Sequence, residues 1–300
     1  MKWQYIMVYL LFKLIGLFPL ALLQRIANII AYCLYFLQTS FFRTTRINIE
    51  LAYPNLTAKQ HEKLVKKSIQ CQCQSYIECI KFWSMSNTYN LKRIQNVHNS
   101  HILENAIQSP QGTIIVVPHL GSWELLNAWL CQQTQPMIMY KPNKNKAINR
   151  YILKARQNTN AILVPADETG IRAIFKHLKQ GGTTLILPDH TPKASGGIYA
   201  DFFGQHVLTG TIVPKLAQKT GSRVIGMNCL RINDSAFFEI HCSQLHDLIL
   251  SKDLNESVSY LNQHIEASIS LAPEQYIWSY KRFKHCQGHR NLYKPQKTAA

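Results

Sequence analysis

His119 and Glu124 are the two residues of this 300-residue sequence whose types and spacing most directly suggest chemistry. An imidazole that gives one ring N–H to a carboxylate has its tautomer fixed. Its other nitrogen becomes a better base, which is what deprotonating an alcohol requires. The pair stand five residues apart in His119-Leu120-Gly121-Ser122-Trp123-Glu124. Taken alone, the spacing also fits a chance pairing in which the glutamate only complements a helix dipole. The eight cysteines, Cys33, Cys71, Cys73, Cys79, Cys131, Cys229, Cys242 and Cys286, show neither a disulfide-framework spacing nor a recognisable nucleophile context, so covalent cysteine catalysis is not expected. His285, Cys286 and His289 form a local cluster of metal-type donors but lack a matching second pair. Neither a metal nor an organic cofactor is expected.

The elements that must position the pair can be read from the same stretch. Thr113 to Val117 is an unbroken β-branched run, Pro118 ends it, and Ser122 can cap a helix beginning near Trp123. His119 then lies at the carboxyl end of a strand, where open α/β sheets bind ligands, and Glu124 in the first helical turn. Further apolar runs at 136–140, 161–164, 183–187 and 224–229 read as strands, alternating with amphipathic stretches at about 122–133, 146–157, 170–180 and 210–219. The alternation predicts an α/β fold with a mostly parallel central sheet flanked by helices. Asp189 follows an apolar strand as His119 does, so it should open into the same crevice, although it also fits a turn cap before Thr191-Pro192.

Upstream, Thr57 with Gln60 makes a capping box that opens a helix running toward Trp83. Before it, Ile6 to Leu23 is apolar apart from Lys13, and the apolar character resumes from Ile26 to Leu37. This is long enough to cross a bilayer, and it predicts an uncleaved membrane-anchoring segment over 1–40, as one span, a hairpin or an in-plane helix. Two buried core helices interrupted by Lys13 and Arg25 are the competing reading. A catalytic domain over 41–290 and a frayed tail over 291–300 complete the expected organisation.

Lys and Arg total 33 against 16 Asp and Glu, a formal net charge of +17 that gathers anionic partners. The basic residues are dispersed, with no arginine-rich arm and no finger spacing, so nucleic acid is not the expected partner. Anionic membrane lipid and an acidic carrier protein are.

The segment Val116-Val117-Pro118-His119-Leu120-Gly121-Ser122-Trp123-Glu124 resembles the motif of the lipid A biosynthesis acyltransferases, which add secondary acyl chains to lipid A precursors. Tyr140-Lys141-Pro142, Arg156-Gln157, Gly170-Ile171-Arg172, Leu187-Pro188-Asp189-His190, Phe202-Phe203-Gly204 and Gln275-Tyr276-Ile277-Trp278 with Lys281-Arg282-Phe283-Lys284 resemble that family's further blocks, in order. The resemblance implies a glycerolipid-acyltransferase-like fold at the inner membrane with its active site facing the cytoplasm. It also implies acyl carrier protein as donor and a Kdo-bearing lipid A precursor as acceptor. It makes His119 and Glu124 the catalytic pair, with Glu124 orienting the imidazolium, and backbone N–H groups beside Gly121 the oxyanion donors, with Arg156 the cationic alternative. Arg156, Asp189, Lys141 and Arg172 become substrate-binding candidates, although a solvated helix face or strand end would account for Arg156, Arg172 or Lys141 equally well. Phe202-Phe203 could line an acyl channel, touch the membrane or pack into the core. Three other readings fit less of the chain: an acyltransferase for another glycolipid or phospholipid, a non-catalytic protein of anionic membranes, and a thioesterase.

Overall fold

The structure, a computed structural model, describes residues 2–157, 159–289 and 292–294. Most of the expected frayed tail, 295–300, lies outside the described residues. The chain opens with the helices α1 (Lys2–Leu17), α2 (Leu20–Phe36), α3 (Ser40–Ala52), α4 (Ala58–Ser84) and α5 (Asn87–Leu91). Strand β1 (Ile94–His98) and α6 (Ser100–Ile107) lead into an alternation of β2 (Thr113–Val116), α7 (Trp123–Gln133), β3 (Met137–Tyr140), α8 (Lys146–Gln157), β4 (Ile162–Pro165), α9 (Glu168–Lys179) and β5 (Thr183–Ile186). A hairpin of β6 (Gly197–Phe202) and β7 (Gln205–Gly210) follows, then α10 (Ile212–Thr220), β8 (Arg223–Arg231), β9 (Phe238–Gln244) and α11 (Leu254–Ser270).

Seven strands form one sheet in the order β1-β9-β8-β2-β5-β3-β4, in which β8 and β9 pair antiparallel and the other neighbours parallel. The mostly parallel α/β sheet read from the sequence is present, and β2 lies at its centre. All four β2 residues are buried because helices cover both faces, which is why the strand reads as a continuous apolar run. The pleat sends Ile114 and Val116 into one core with Ile174, Leu178 and Val213. It sends Ile115 and Val117 into the other with Leu125, Leu126 and Leu130.

The capping box at the start of α4 is formed, with the Thr57 side chain on the Gln60 N–H and the Gln60 side chain on the Thr57 N–H. The 27-residue helix it opens is the platform for the N-terminal segment. α1 and α2 are bent by 113° at the break before Pro19. Lys81 of α4 holds the bend by donating to the carbonyls of Gly16 (2.5 Å) and Phe18 (2.9 Å), acceptors that a helix end leaves without intrahelical partners. The apolar run from Ile6 to Leu23 is thereby divided. Among the described residues no single helix is long and apolar enough to cross a membrane, and only the bent pair together meets that condition.

α11 was not legible as an element in advance. Its His264 ring packs against Gly226 of β8, where a Cβ would lie 2.1 Å from Nε2, and burial lowers its pKa to about 4. The unfolded chain takes up a proton near pH 6.5 that the folded chain refuses until about 4, so stability should fall as pH drops through that window. The slope due to this residue is at most about 1.4 kcal/mol per pH unit. Urea titrations at pH 7 and pH 5 should show a smaller difference between the two conditions for His264→Gln than for wild type; an unchanged difference would remove His264 from the account.

Candidate active site

The site begins where β2 stops. Val117 N–H bonds the Ile186 carbonyl at 3.0 Å, and beyond Pro118 the chain turns sharply enough that Gly121 takes a φ of +62°. The turn is fixed from two sides. Leu120 pairs with Tyr276 in an isolated bridge, the Ile277 N–H donates to the His119 carbonyl (3.1 Å), and the Gly121 N–H donates to the Gln275 carbonyl (3.1 Å). On the other side Ser122 N–H donates to the Cys229 carbonyl at 2.7 Å. The Gln275 to Trp278 block thus positions the His119 loop through its backbone.

These contacts bear on one expectation. The N–H groups of Gly121 and Ser122 are engaged by the Gln275 and Cys229 carbonyls in this structure. The glycine has a different reason to be there: a Cβ at Gly121 would meet the Cys229 carbonyl oxygen at 2.1 Å on a left-handed backbone. Gly121→Ala should therefore cost about 2–5 kcal/mol from strain and overpacking together. A thermal unfolding midpoint within a degree of wild type would contradict this.

His119 does not pair with Glu124. Its Nδ1 is 2.9 Å from Asp189 Oδ1, and its backbone N–H donates to Asp189 Oδ2 at 3.0 Å, so one buried carboxylate clamps both ring and main chain. Burial alone would raise the Asp189 pKa, but the charge and hydrogen bonds of His119 outweigh it and hold the carboxyl below the usual range. The geometry explains the change of partner: Asp189 leaves the neighbouring strand β5 at the same end of the sheet, whereas Glu124 is carried past the ring by the Gly121 turn onto α7. His190 stacks face to face on the His119 ring (centroids 3.9 Å, planes 2° apart) and on Tyr280 (3.7 Å). Covered faces and the neighbouring His119 draw its pKa below the ordinary imidazole range. Sequence reasoning gave His190 no role.

Glu124 is buried and held elsewhere. It forms a short ion pair with the Arg156 guanidinium and accepts from Trp83 Nε1 at 2.8 Å. Burial would lower the Arg156 pKa, but the neighbouring Glu124 outweighs it and raises it, so the guanidinium stays charged. Arg156 also lies over the Tyr140 ring at 5.4 Å. His119, Glu124, Arg156, Lys141 and Trp123 line one cavity of about 310 Å³. A larger one of about 620 Å³, with Phe12, Tyr76, Ile80 and Trp83 in its wall, meets it along Trp123, Glu124, Lys141 and Arg156. Three of the four expected binding residues are therefore gathered here, Arg156 and Lys141 in the cavity wall and Asp189 behind His119. Arg172 is not: it pairs with Glu168 across an exposed turn of α9. Phe202 is buried, and Phe203, at the tip of the β6–β7 hairpin, packs on Tyr53 and Trp278, so the aromatic pair belongs to the core. His285, Cys286 and His289 do not converge as a ligand set among the described residues.

Residues 1–285 match the model of the bacterial lipid A biosynthesis acyltransferases. The chain belongs to that family. The lipid A biosynthesis palmitoleoyltransferase of Escherichia coli (strain K12) is 26% identical over 80% of this chain and 77% of its own. The lauroyltransferase of the same organism is 24% identical over 79% and 77%. A phosphatidylinositol mannoside acyltransferase of Mycolicibacterium smegmatis is 22% identical over 56% of each chain. This chain is thus an acyltransferase of lipid A biosynthesis. Chemically, a histidine whose Nδ1 is fixed by a carboxylate, and whose Nε2 has no hydrogen-bond partner among the described residues, is competent to take a hydroxyl proton.

Proposed function

We propose that the enzyme transfers a fatty acyl chain from acyl carrier protein to a hydroxyl of a Kdo-bearing lipid A precursor. The observation that carries the reading is the His119–Asp189 clamp opening into a cavity shared with the Glu124–Arg156 ion pair. His119 Nε2 takes the proton of the acceptor hydroxyl as its oxygen attacks the thioester carbonyl. The imidazolium that forms is stabilised by Asp189 and returns the proton to the departing thiolate. Arg156, its direction set by Glu124, supplies positive charge beside the developing oxyanion. Glu124 on this reading acts through the guanidinium. No acyl-enzyme is required, and Cys79, which lines the larger cavity, is a poor nucleophile because burial pushes its thiol well up.

Two further features support the setting. Leu20, Leu23, Ala27 and Ala31 of α2 are buried inside the protein, while Trp3, Leu10, Leu14, Ile29 and Phe36 of the same two helices are exposed. An apolar outer face on helices packed from within fits a bent pair seated in the cytoplasmic leaflet of the inner membrane. The net charge of +17, with Lys146, Arg150 and Lys154 on α8 beside the cavity wall, suits an acidic carrier and a phosphorylated acceptor.

The test is transfer of a labelled chain from acyl carrier protein to a Kdo-bearing precursor in detergent, read as product mass. One added chain is expected. Consumption of the thioester with no acylated lipid would overturn the assigned acceptor, and transfer from acyl coenzyme A but not from the carrier would overturn the donor.

A further inference from the structure

The second cluster of chemistry-bearing side chains lies on strands that take no part in the cavity. His98 of β1 and His241 of β9 are register partners in the parallel ladder, so their rings stand side by side on one face of the sheet, with centroids 4.5 Å apart and planes 16° apart. Glu239, two residues before His241, points to the same face. The opposite face of β9 carries Phe238, Ile240 and Cys242 into the core, so the alternation separates an apolar side from this polar one. Glu239 places one carboxylate oxygen 3.1 Å from His98 Nε2 and the other 3.1 Å from His241 Nε2.

The geometry points to a binding site for a divalent first-row transition ion, of the zinc class, at His98, Glu239 and His241. One ligand atom from each residue lies within 4.8 Å of the others, and two imidazoles with one carboxylate are a donor set that such ions take and that calcium and magnesium do not favour. Two unpartnered atoms point the same way. His241 Nε2 is buried and, although close to Glu239, is aligned for no hydrogen bond. Asn228, which faces His241 across the β8–β9 ladder, has a buried side-chain oxygen that no donor satisfies among the described residues. A buried acceptor without a donor is costly.

Binding at the usual ~2.0–2.1 Å from nitrogen and oxygen requires the three groups to close by a rotation of side chains on the half-exposed face. Each histidine would ligate through Nε2, the nitrogen that faces Glu239. The ion would join edge strand β1 to β9, two and three strands from β2, leaving the acyl-transfer cavity untouched.

The experiment uses the full chain in detergent, stripped with chelator and titrated with zinc against a chromophoric chelator. One zinc per chain is expected, with at least ~10-fold weaker binding in each of His98→Ala, Glu239→Gln and His241→Ala, acyl-transfer activity unchanged, and a zinc-dependent rise of the unfolding midpoint in wild type alone. Absence of zinc binding by folded wild type would overturn the site. So would zinc that binds as tightly to the His98→Ala/His241→Ala double variant, since the ion would then sit elsewhere.

Discussion

His119→Ala is expected to lower turnover by about 10²–10⁴-fold while leaving the fold and the affinity for the acyl donor nearly intact. The ring is one-fifth exposed, is held by Asp189 and by its ring contacts with Trp123 and His190, and lies at a strand end beyond the buried β2 run, so truncation removes chemistry more than packing. A general base contributes only in the transition state, so the loss should fall on kcat and on kcat/KM together, with KM little changed. The measurement is single-turnover transfer at saturating donor, with circular dichroism and unfolding midpoint as controls. Activity within about tenfold of wild type in a folded variant would show that the acceptor hydroxyl loses its proton by another route.

How far the sequence carried the site follows from what local patterns can encode. β2, β3, β4, β5 and β8 were readable as apolar runs, most clearly β2 and β5, which are covered on both faces, and α4 was readable from its Thr57–Gln60 capping box. β1 and β9 escaped because one of their faces is polar, and their pairing is set by contacts about 140 residues apart, such as His98 with Glu239. The same separation hid the histidine cluster: no local ligand spacing links residue 98 to residues 239 and 241. Within the site, types and strand-end positions were legible, which brought His119, Asp189, Arg156 and Lys141 to the right end of the sheet. Partners were not. Glu124 is close to His119 in sequence, but a left-handed glycine between them turns the chain, and the nearer carboxylate comes from the adjacent strand. The role of Gln275 to Trp278 was invisible for a related reason, since it acts on the His119 loop through backbone groups that any residue carries.

Asp189→Asn is the variant that separates the two carboxylates. In wild type both oxygens accept, one from the His119 backbone N–H and one at Nδ1, and the carboxylate is buried. An asparagine has a single acceptor oxygen. If that oxygen keeps the backbone N–H, its NH₂ faces Nδ1, which must then carry the lone pair, and the proton moves to Nε2. The base is then blocked at the atom that faces substrate. If the amide flips, the backbone N–H meets a donor and the loop loses its clamp, at a cost of about 1–3 kcal/mol for the orphaned buried group. Either way turnover should fall by about 10²–10⁴-fold, and adding Asp189→Asn to His119→Ala should cost little more, because both remove one catalytic unit. Glu124→Gln keeps one acceptor oxygen, enough for Trp83, but turns a donor NH₂ toward Arg156 and removes the charge that directs the guanidinium, and a loss of about 10–10²-fold is expected, carried by kcat. The opposite ranking, with Asp189→Asn folded and nearly active and Glu124→Gln inactive, would mean that Glu124 leaves Arg156 during turnover and takes the imidazole itself.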